Sequence, residues 1–360
     1  MLDCFRGDTS RTDRFFRPTD NNYEVAQQNA RYAERHADET PVTEVFSWPE
    51  LTEALRRAEL LSGSHPKPVV PKFSFSEFDS ATAARFFHRG SERAPIAIMN
   101  FANGVNPGGG YTRGSRAQEE ALCRQWPMYH PSLSEDFYPF GAYSRDIVDS
   151  QKRDVEARKI YNTVLVTPRV RLMRDGPSER FRELEPKDMF PTTMVAAVAP
   201  QAWWWCGGVP TEGLENTIVH TILGPLVAWK EGRGLPAGAE AASGTLVLGA
   251  WGCGAFGNDP ENMAALFMQA LHAVFFSGQY DRLLAWLASD AESKPSQRPA
   301  LYHEVHFAVP AFRKSDEENV KRFRRALEDF VLTKELGPLT THGPMSDGSR
   351  SSPHELTTER

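Results

Sequence analysis

Short apolar runs alternate with amphipathic stretches between residues 65 and 333, and this alternation predicts a layered α/β domain. Several of the runs are too short for helices and end at turn-forming residues, as is typical of buried strands. The predicted strands are Lys72–Phe78, Ile96–Phe101, Thr163–Val170, Thr192–Val198, Thr245–Trp251 and Glu304–Val309. Because helical stretches separate many of these strands, helices are expected on both faces of the sheet.

Periodic apolar positions and helix-end signals predict the helices. The predicted helices are 20–37, 49–61, Ser80–Phe87, Gln118–Trp126, Asn216–Lys230, 260–276 and 316–333. Ser47 before Pro49, and Asp259 before Pro260, each fit a cap residue followed by an early proline. Pro225 lies inside a predicted helix and is expected to kink or end it.

Composition divides the chain into three parts. Residues 1–64 are predicted to form an N-terminal helical accessory segment, and residues 65–333 a single catalytic domain without an internal repeat. A Gly/Ala-rich loop insertion is expected at 231–244. Residues 334–360 are predicted to be a disordered tail, because Ser, Thr, Gly and Pro dominate most of it.

The overall charge argues against a dedicated nucleic-acid-binding protein. The 360 residues carry a formal net charge of −6, so no basic excess is present to neutralise phosphates. Arg6, Arg11, Arg14 and Arg17 form a local basic cluster, which a solvated arm explains more simply than a binding patch. We therefore expect no direct nucleic-acid partner.

Cysteine usage and hydropathy restrict the class of protein further. Cys4, Cys123, Cys206 and Cys253 are far apart and form no Cys-x-x-Cys pair. This pattern favours a reduced, intracellular protein without a zinc site, and no metal or cofactor is expected. The N-terminus lacks a signal-peptide core, and no run approaches the roughly 18 apolar residues of a membrane span. We expect a soluble monomer without a membrane partner.

The stretch from Gly108 to Glu120 gives the strongest indication of chemistry. Gly108, Gly109 and Gly110 let the backbone approach a ligand and offer N–H groups to anionic oxygens. Glu119 and Glu120 could bind ribose hydroxyls and exchange protons with a leaving group, which suggests chemistry on a phosphate-bearing sugar. Successive helical residues diverge by about 100°, so the two glutamates are expected to have different roles. The plain alternative is charge complementation at a helix N-terminus.

A second glycine loop follows the clearest predicted strand and precedes a helix. Its residues are Gly252, Cys253, Gly254, Ala255, Phe256, Gly257 and Asn258. The loop matches G-x-G-x-x-G, a pattern that directs backbone N–H groups and a helix N-terminus at a diphosphate. A Rossmann interpretation is weak, because no acidic residue closes a further strand about 20 residues later. We interpret the segment as a diphosphate-binding loop, with a tight packing turn as the alternative.

Three asparagines follow one another closely at the end of the strand Ile96–Phe101. Asn100, Asn103 and Asn106 could hydrogen-bond ribose hydroxyls through their amide groups. Ordinary turn asparagines are an equally good explanation of this pattern.

The remaining patterns say less about function. His303 and His306 lie at odd spacing in a predicted strand, so they face opposite sides and are not expected to share a metal. The run Trp203–Trp205 is more typical of a core or a cleft wall than of a base-stacking platform. The sequence contains no Gly-x-Ser-x-Gly, P-loop or His-Glu-x-x-His pattern.

Taken together, these residues resemble one enzyme family. Gly108-Gly-Gly110, seven further residues and then Gln118-Glu-Glu120 resemble the signature of poly(ADP-ribose) glycohydrolases. The longer segment 100–110 resembles the compact microbial type. Further blocks resemble that family in the expected order: Thr163–Arg174, Thr193–Pro200 and Leu246–Asn258. The resemblance covers roughly residues 20–333.

The resemblance implies a macrodomain fold, a three-layer α/β/α arrangement whose mixed, mostly parallel sheet binds ADP-ribose across its strand ends. It also implies the reaction, hydrolysis of the ribose–ribose O-glycosidic bonds of poly(ADP-ribose). The implied partners are poly(ADP-ribose), ADP-ribose and ADP-ribosylated proteins.

The resemblance assigns roles by position. Glu120 would be the general acid/base, and Glu119 the neighbour that holds the ribose hydroxyls. Asn103 would contact the distal ribose, and Phe256 would pack against it. Gly252–Gly257 would line the diphosphate. The remaining implied substrate-binding residues are Gly108, Gly109, Gly110, Gln118, Cys253, Gly254, Ala255 and Asn258.

The adenine end of the implied site rests on Asp79, which sits where macrodomains keep an aspartate for the adenine amino group. Glu77 lies close by and is the competing residue. The segments 231–244 and 278–300 and the C-terminal tail depart from compact members, which leaves regulation and polymer handling open but not the reaction.

Other functions compete with this interpretation. A non-catalytic ADP-ribose-binding protein would keep the second glycine loop but would not need paired glutamates. A hydrolase of single ADP-ribose units would usually lack Gln118-Glu-Glu120. A nicotinamide-cofactor oxidoreductase is the most distant alternative.

Overall fold

A mixed sheet lies at the centre of the fold in a computed structural model that describes residues 20–60, 69–92, 94–141, 163–200, 211–233, 244–289 and 301–343. The strands in these residues are β1 (Glu44–Phe46), β2 (Lys72–Ser76), β3 (Ile96–Phe101), β4 (Val164–Leu172), β5 (Phe190–Ala197), β6 (Gly244–Leu248), β7 (Tyr302–Ala308) and β8 (Thr340–His342). Their order is β1-β4-β5-β3-β6-β7-β2-β8. β4 is antiparallel to both neighbours, and the other pairs are parallel. The expected mixed, mostly parallel sheet is confirmed.

The helices begin close to the predicted positions. In the described ranges they are α1 (Asp20–Arg35), α2 (Trp48–Glu59), α3 (Ser80–Gly90), α4 (Gln118–Gln125), α5 (Tyr129–Ser132), α6 (Thr211–Lys230), α7 (Pro260–Phe275), α8 (Asp281–Ala288) and α9 (Glu317–Thr333). At the start of α2, the Ser47 backbone N–H donates to Glu50 Oε2 at 2.8 Å. At the start of α7, Asp259 Oδ1 accepts from the Asn262 N–H at 2.9 Å. No described helix is both long and apolar enough to cross a bilayer.

The helix α6 continues through Pro225, so this proline does not end the helix, which was one of the two outcomes expected from the sequence. The proline lacks an N–H, so the helix loses one backbone hydrogen bond at this turn. Leu223, Leu226 and Val227 around it are all buried in the core. Packing of an apolar helix supplies most helical stability in proteins, and here it outweighs the local cost of proline.

Four described elements were not predicted from the sequence: β1, the short helix α5, α8 and β8. β1 has only three residues, too few for a period to be recognised. α8 lies within the segment 278–300 and buries Leu283, Leu284 and Leu287. β8 lies inside residues 334–360, so the prediction of a disordered tail is wrong for this part. β8 is held by main-chain pairing with β2, which a composition argument cannot detect.

The sheet separates two apolar cores, which gives the expected three layers. Ala97 and Met99 of β3 pack in the core beneath α2, α6, α7, α8 and α9. Ile96 and Ile98 of the same strand pack in the core beneath α1, α3, α4 and α5. Alternate side chains of a strand point to opposite faces, so the apolar run of β3 serves both cores.

The carboxyl ends of β3, β6 and β7 converge at one edge of the sheet. Gly249, directly after β6, lies where they meet. A Cβ at this position would fall 2.9 Å from the Phe101 ring and 2.6 Å from the Ala308 carbonyl oxygen. Only glycine fits so close an approach. Because β3 and β6 are neighbours, the two predicted glycine loops begin side by side at this edge.

Some sequence-based predictions concern residues outside the described ranges. These are the arginine cluster Arg6, Arg11, Arg14 and Arg17, the run Trp203–Trp205, the cysteines Cys4 and Cys206, and most of the insertion 231–244. Of the other cysteines, Cys123 is buried, Cys253 is half-buried, and both are free thiols.

Candidate active site

Gln118 fixes the N-terminus of α4 against the end of β3. Its Nε2 donates to the Met99 carbonyl at 2.8 Å and to Ser80 Oγ at 3.1 Å. Its Oε1 accepts from the Phe101 N–H at 2.9 Å. Three hydrogen bonds from one side chain tie two elements and the start of α3 together. The glutamates that follow Gln118 therefore have fixed positions relative to the strand ends.

Glu119 is buried, with 2% of its surface exposed, and uses both carboxylate oxygens within the protein. Oε2 accepts from the Asn103 N–H at 2.8 Å, and Oε1 accepts from Asn100 Nδ2 at 3.3 Å. Asn100 Nδ2 also donates to the Tyr129 hydroxyl at 2.9 Å. Burial first, and then the charge of Glu120, raise the pKa of Glu119 well above its usual range.

Glu120 has a different environment, although it is buried as well. Its Oε1 accepts from the Gly110 N–H at 2.8 Å. Its Oε2 is buried and has no hydrogen-bond partner among the described residues. Adjacent helix positions thus give one carboxylate that is fully engaged and one that keeps an unengaged oxygen. Their surroundings therefore differ, and the expectation that the two glutamates have different roles stays a prediction.

The first glycine loop packs directly against the two carboxylates. Gly109 has φ +60°, and a Cβ there would fall 2.6 Å from Glu120 Oε1 and 2.9 Å from Glu119 Oε2. Gly108 has φ +65°, and a Cβ there would fall 2.7 Å from the His130 ring. Both the left-handed backbone and the space require glycine. These glycines therefore shape the carboxylate site itself.

Asn103 organises the loop between β3 and these glycines. Its Oδ1 accepts from the N–H groups of Val105 and Asn106, each at 2.9 Å, as an Asx turn does. The carbonyl of Asn106 in turn accepts from the Gly109 N–H at 2.9 Å. The side-chain oxygen of Asn103 is therefore used within the loop, and its Nδ2 is the atom left for a ligand.

The second glycine loop is closed by Asn258. Its Nδ2 donates to the Pro200 carbonyl at 2.7 Å and to the Gly252 carbonyl at 3.0 Å. Gly252 has φ +73°, and a Cβ there would fall 2.6 Å from the Ala199 side chain. Gly254, Ala255 and Gly257 are exposed, and Cys253 and Phe256 are half-buried. The loop thus has a fixed base and an open rim, directly before the N-terminus of α7.

Asp79 lies near this site but already has a structural role. Its Oδ1 accepts from the Thr82 N–H at 2.8 Å and caps α3. The next residue, Ser80, accepts from Gln118, so Asp79 is close to the start of α4. Glu77, the alternative residue for the adenine contact, forms a surface ion pair with Arg324 at 2.9 Å.

Helix α1 supports the active-site helix, a role that sequence reasoning missed. Asn29 Nδ2 donates to the carbonyls of Cys123 and Arg124 at 3.3 and 3.0 Å, near the end of α4. The buried Arg124 donates to the Asn22 carbonyl at 3.2 Å and to the Tyr111 carbonyl at 3.3 Å. The only sequence signal for this supporting role is Asn29 itself, a polar residue on the buried face of the amphipathic helix α1.

Glu119→Gln is expected to raise the melting temperature by a few degrees at neutral pH. Because the folded-state pKa of Glu119 is raised, its stability contribution is fully present below the unfolded pKa and is lost as pH rises through the folded pKa. The neutral glutamine side chain of the variant avoids that loss. The oxygen of the substituted glutamine can still accept from the Asn103 N–H. Its NH₂ group can donate to Asn100 Oδ1 if the Asn100 amide rotates, because this oxygen has no partner among the described residues.

Melting temperatures measured by calorimetry between about pH 4 and pH 8 test this expectation. The lower limit is close to the usual pKa of a glutamate in an unfolded chain. The gain of the variant should shrink toward the acid end. Glu179→Gln, at an exposed position, is the control and should show little change. A variant that melts below the wild type at neutral pH would show that the ionised carboxylate stabilises the fold.

Residues 14–175 match the family model for the catalytic domain of microbial-type PARG, that is, poly(ADP-ribose) glycohydrolase. No curated protein sequence matches the chain. The fold is similar to the crystal structure of PARG from Thermomonospora curvata, with a TM-score of 0.57 and 22% identity, covering 86% of this chain and 100% of that chain. It is also similar to PARG from Deinococcus radiodurans in complex with ADP-ribose, with a TM-score of 0.51 and 27% identity, covering 80% of this chain and 94% of that chain. The resemblance read from the two motifs is confirmed.

Proposed function

We propose that this chain, an enzyme of the microbial PARG type, hydrolyses the ribose–ribose O-glycosidic bonds of poly(ADP-ribose) and uses Glu120 as general acid/base. The observation that carries the proposal is the unengaged, buried Glu120 Oε2 beside Glu119, whose pKa is raised. A general acid needs a proton at working pH and an oxygen that can reach the substrate. Glu120 Oε2 supplies that oxygen.

In the first half of the reaction, Glu120 donates its proton to the departing 2′-oxygen as oxocarbenium character develops on the ribose. The resulting carboxylate then takes a proton from water, which attacks C1 of the same ribose. The Gly110 N–H on Oε1 holds the carboxylate in place throughout both steps. One carboxylate performs the two tasks that most glycosidases divide between two residues.

Glu119 positions the ribose. Both of its oxygens already accept hydrogen bonds, but each carboxylate oxygen has a second lone pair for a ribose hydroxyl. Asn103 Nδ2 donates to the distal ribose, since its Oδ1 is occupied by the loop. Phe256, half-buried in the second loop, packs against the same sugar.

The remaining residues bind the ADP portion. The loop Gly252–Gly257, exposed at Gly254, Ala255 and Gly257 and directly before α7, binds the diphosphate, because N–H groups and a helix dipole both favour an anion there. Gly108–Gly110 form the facing wall of the cleft, and Gln118 fixes that wall to β3. Asp79 binds the adenine amino group through the oxygen that does not cap α3. The reported complex of the Deinococcus radiodurans protein with ADP-ribose supports this ligand.

Incubation of the purified chain with poly(ADP-ribose), followed by separation of the products by size, tests the proposal. Release of ADP-ribose is the expected result. Calorimetric binding of ADP-ribose without turnover would instead assign a non-catalytic reader. Release from mono-modified protein but not from the polymer would assign a hydrolase of single ADP-ribose units.

A further inference from the structure

A cluster of metal-binding side chains lies on the last three strands at the end of the sheet. Glu304 and His306 belong to β7, Ser74 belongs to the adjacent β2, and His342 belongs to the edge strand β8. In the sheet register Ser74 lies opposite His306, and Ser76 lies opposite His342. Residues two apart in a strand share a face, so all of these side chains project toward α3. None of them belongs to the glutamate site.

The donor atoms of this cluster converge. Ser74 Oγ contacts Glu304 Oε1 and lies 2.8 Å from His306 Nδ1. His342 Nε2 lies 3.3 Å from Glu304 Oε1. One ligand atom from each of Glu304, His306 and His342 lies within 4.8 Å of the others. A tetrahedral ion with bonds of about 2.0–2.2 Å separates neighbouring ligand atoms by roughly 3.4 Å, and the 3.3 Å between His342 Nε2 and Glu304 Oε1 matches this.

The surroundings hold His306 in the orientation that a ligand needs. Its Nε2 lies 2.8 Å from Ser76 Oγ, and that oxygen is fixed by the Phe78 N–H at 3.2 Å. The contact with Ser76 leaves His306 Nδ1 on the side of the cluster, where it faces Ser74 Oγ.

The cluster is enclosed on one side and accessible on the other. The rings of Phe86 and Phe87 on α3 lie 4.6 Å and 5.0 Å from the rings of His342 and His306. A cavity of about 430 Å³ opens beside Ser76 and His342, the last residues of β2 and β8. An ion could therefore enter from this cavity and lose water against an apolar wall.

We propose that Glu304, His306 and His342, with the hydroxyl of Ser74 at the fourth position, form a zinc site. Two imidazole nitrogens and one carboxylate oxygen are a zinc ligand set, whereas magnesium and calcium take oxygen ligands. The three ligands come from β7 and β8, which lie on either side of β2. Bound zinc fastens the edge strand β8 to the sheet.

Zinc chloride added to the full-length, chelator-treated protein tests this proposal. Titration calorimetry should give one zinc ion per chain, and the melting temperature should rise with zinc concentration by mass action. Both effects should be lost in His342→Gln, whose position at the sheet edge tolerates change better than the fully buried His306. Glu304→Gln provides a second variant that retains the shape of the side chain.

The matched control is His303→Gln. His303 lies on the same strand, but its Nε2 lies 3.4 Å from Thr245 Oγ1, and it is not one of the three side chains whose donor atoms converge. This variant should bind zinc as the wild type does. Two results would overturn the proposal: no one-to-one zinc binding by the wild type, or a zinc-dependent rise in melting temperature that persists in His342→Gln and Glu304→Gln. Neither readout depends on activity toward poly(ADP-ribose), so failure here leaves the proposed reaction intact.

Discussion

Glu120→Gln should lower the rate of ADP-ribose release from poly(ADP-ribose) by about 10⁴-fold, the upper end of what loss of a general acid costs. The variant loses both the proton donor for the leaving oxygen and the base that activates water. The substituted glutamine keeps the size of the side chain and an oxygen that accepts from the Gly110 N–H. The loop should therefore keep its shape, and the loss should fall on the chemical step.

Initial rates at saturating polymer, together with calorimetric binding of ADP-ribose, check this result. The rate should fall while the dissociation constant for ADP-ribose changes only a few-fold, since an interaction used only in the transition state is removed. Glu135→Gln, an exposed position near the site, is the control and should keep the wild-type rate. If Glu120→Gln releases ADP-ribose at nearly the wild-type rate, Glu120 is not the general acid/base.

The parts of this site that could be predicted are those encoded locally. The strand Ile96–Phe101 was predicted with its observed bounds, because a short apolar run ends at polar turn residues. The two glycine loops could be placed at one edge, because parallel strands end on the same side of a sheet. The start of α4 at Gln118 was also predicted, from the local sequence pattern.

What could not be predicted depends on contacts between distant segments. The hydrogen bond from Asn100 to Glu119 and the support of α4 by Asn29 join residues that no local pattern relates. The zinc-site proposal shows the same limit. In the proposed site the neighbour of His306 is His342, which lies in a segment whose composition indicated disorder. Strand pairing, not local propensity, brings them together.

Gly109→Ala should lower the rate of release by about 10²-fold or more, since misplacing catalytic groups by roughly 1 Å costs that much. A Cβ at this position would fall 2.6 Å from Glu120 Oε1 and 2.9 Å from Glu119 Oε2, closer than such atoms approach. Both carboxylates must move, and Glu120 then loses its alignment with the Gly110 N–H. The backbone at φ +60° adds a strain of about 1–2 kcal/mol, which lowers the melting temperature.

Gly337→Ala separates these two effects. Gly337 has φ +86°, but a Cβ there meets nothing within 4 Å. The control should therefore show a loss of stability of similar size without a loss of rate. Rates measured well below both melting temperatures, with folded fractions checked by circular dichroism, make the comparison fair. If Gly109→Ala loses no more activity than Gly337→Ala, then the carboxylates do not depend on the space beside Gly109. The glycines of this loop would then serve ligand approach alone, as the sequence first suggested.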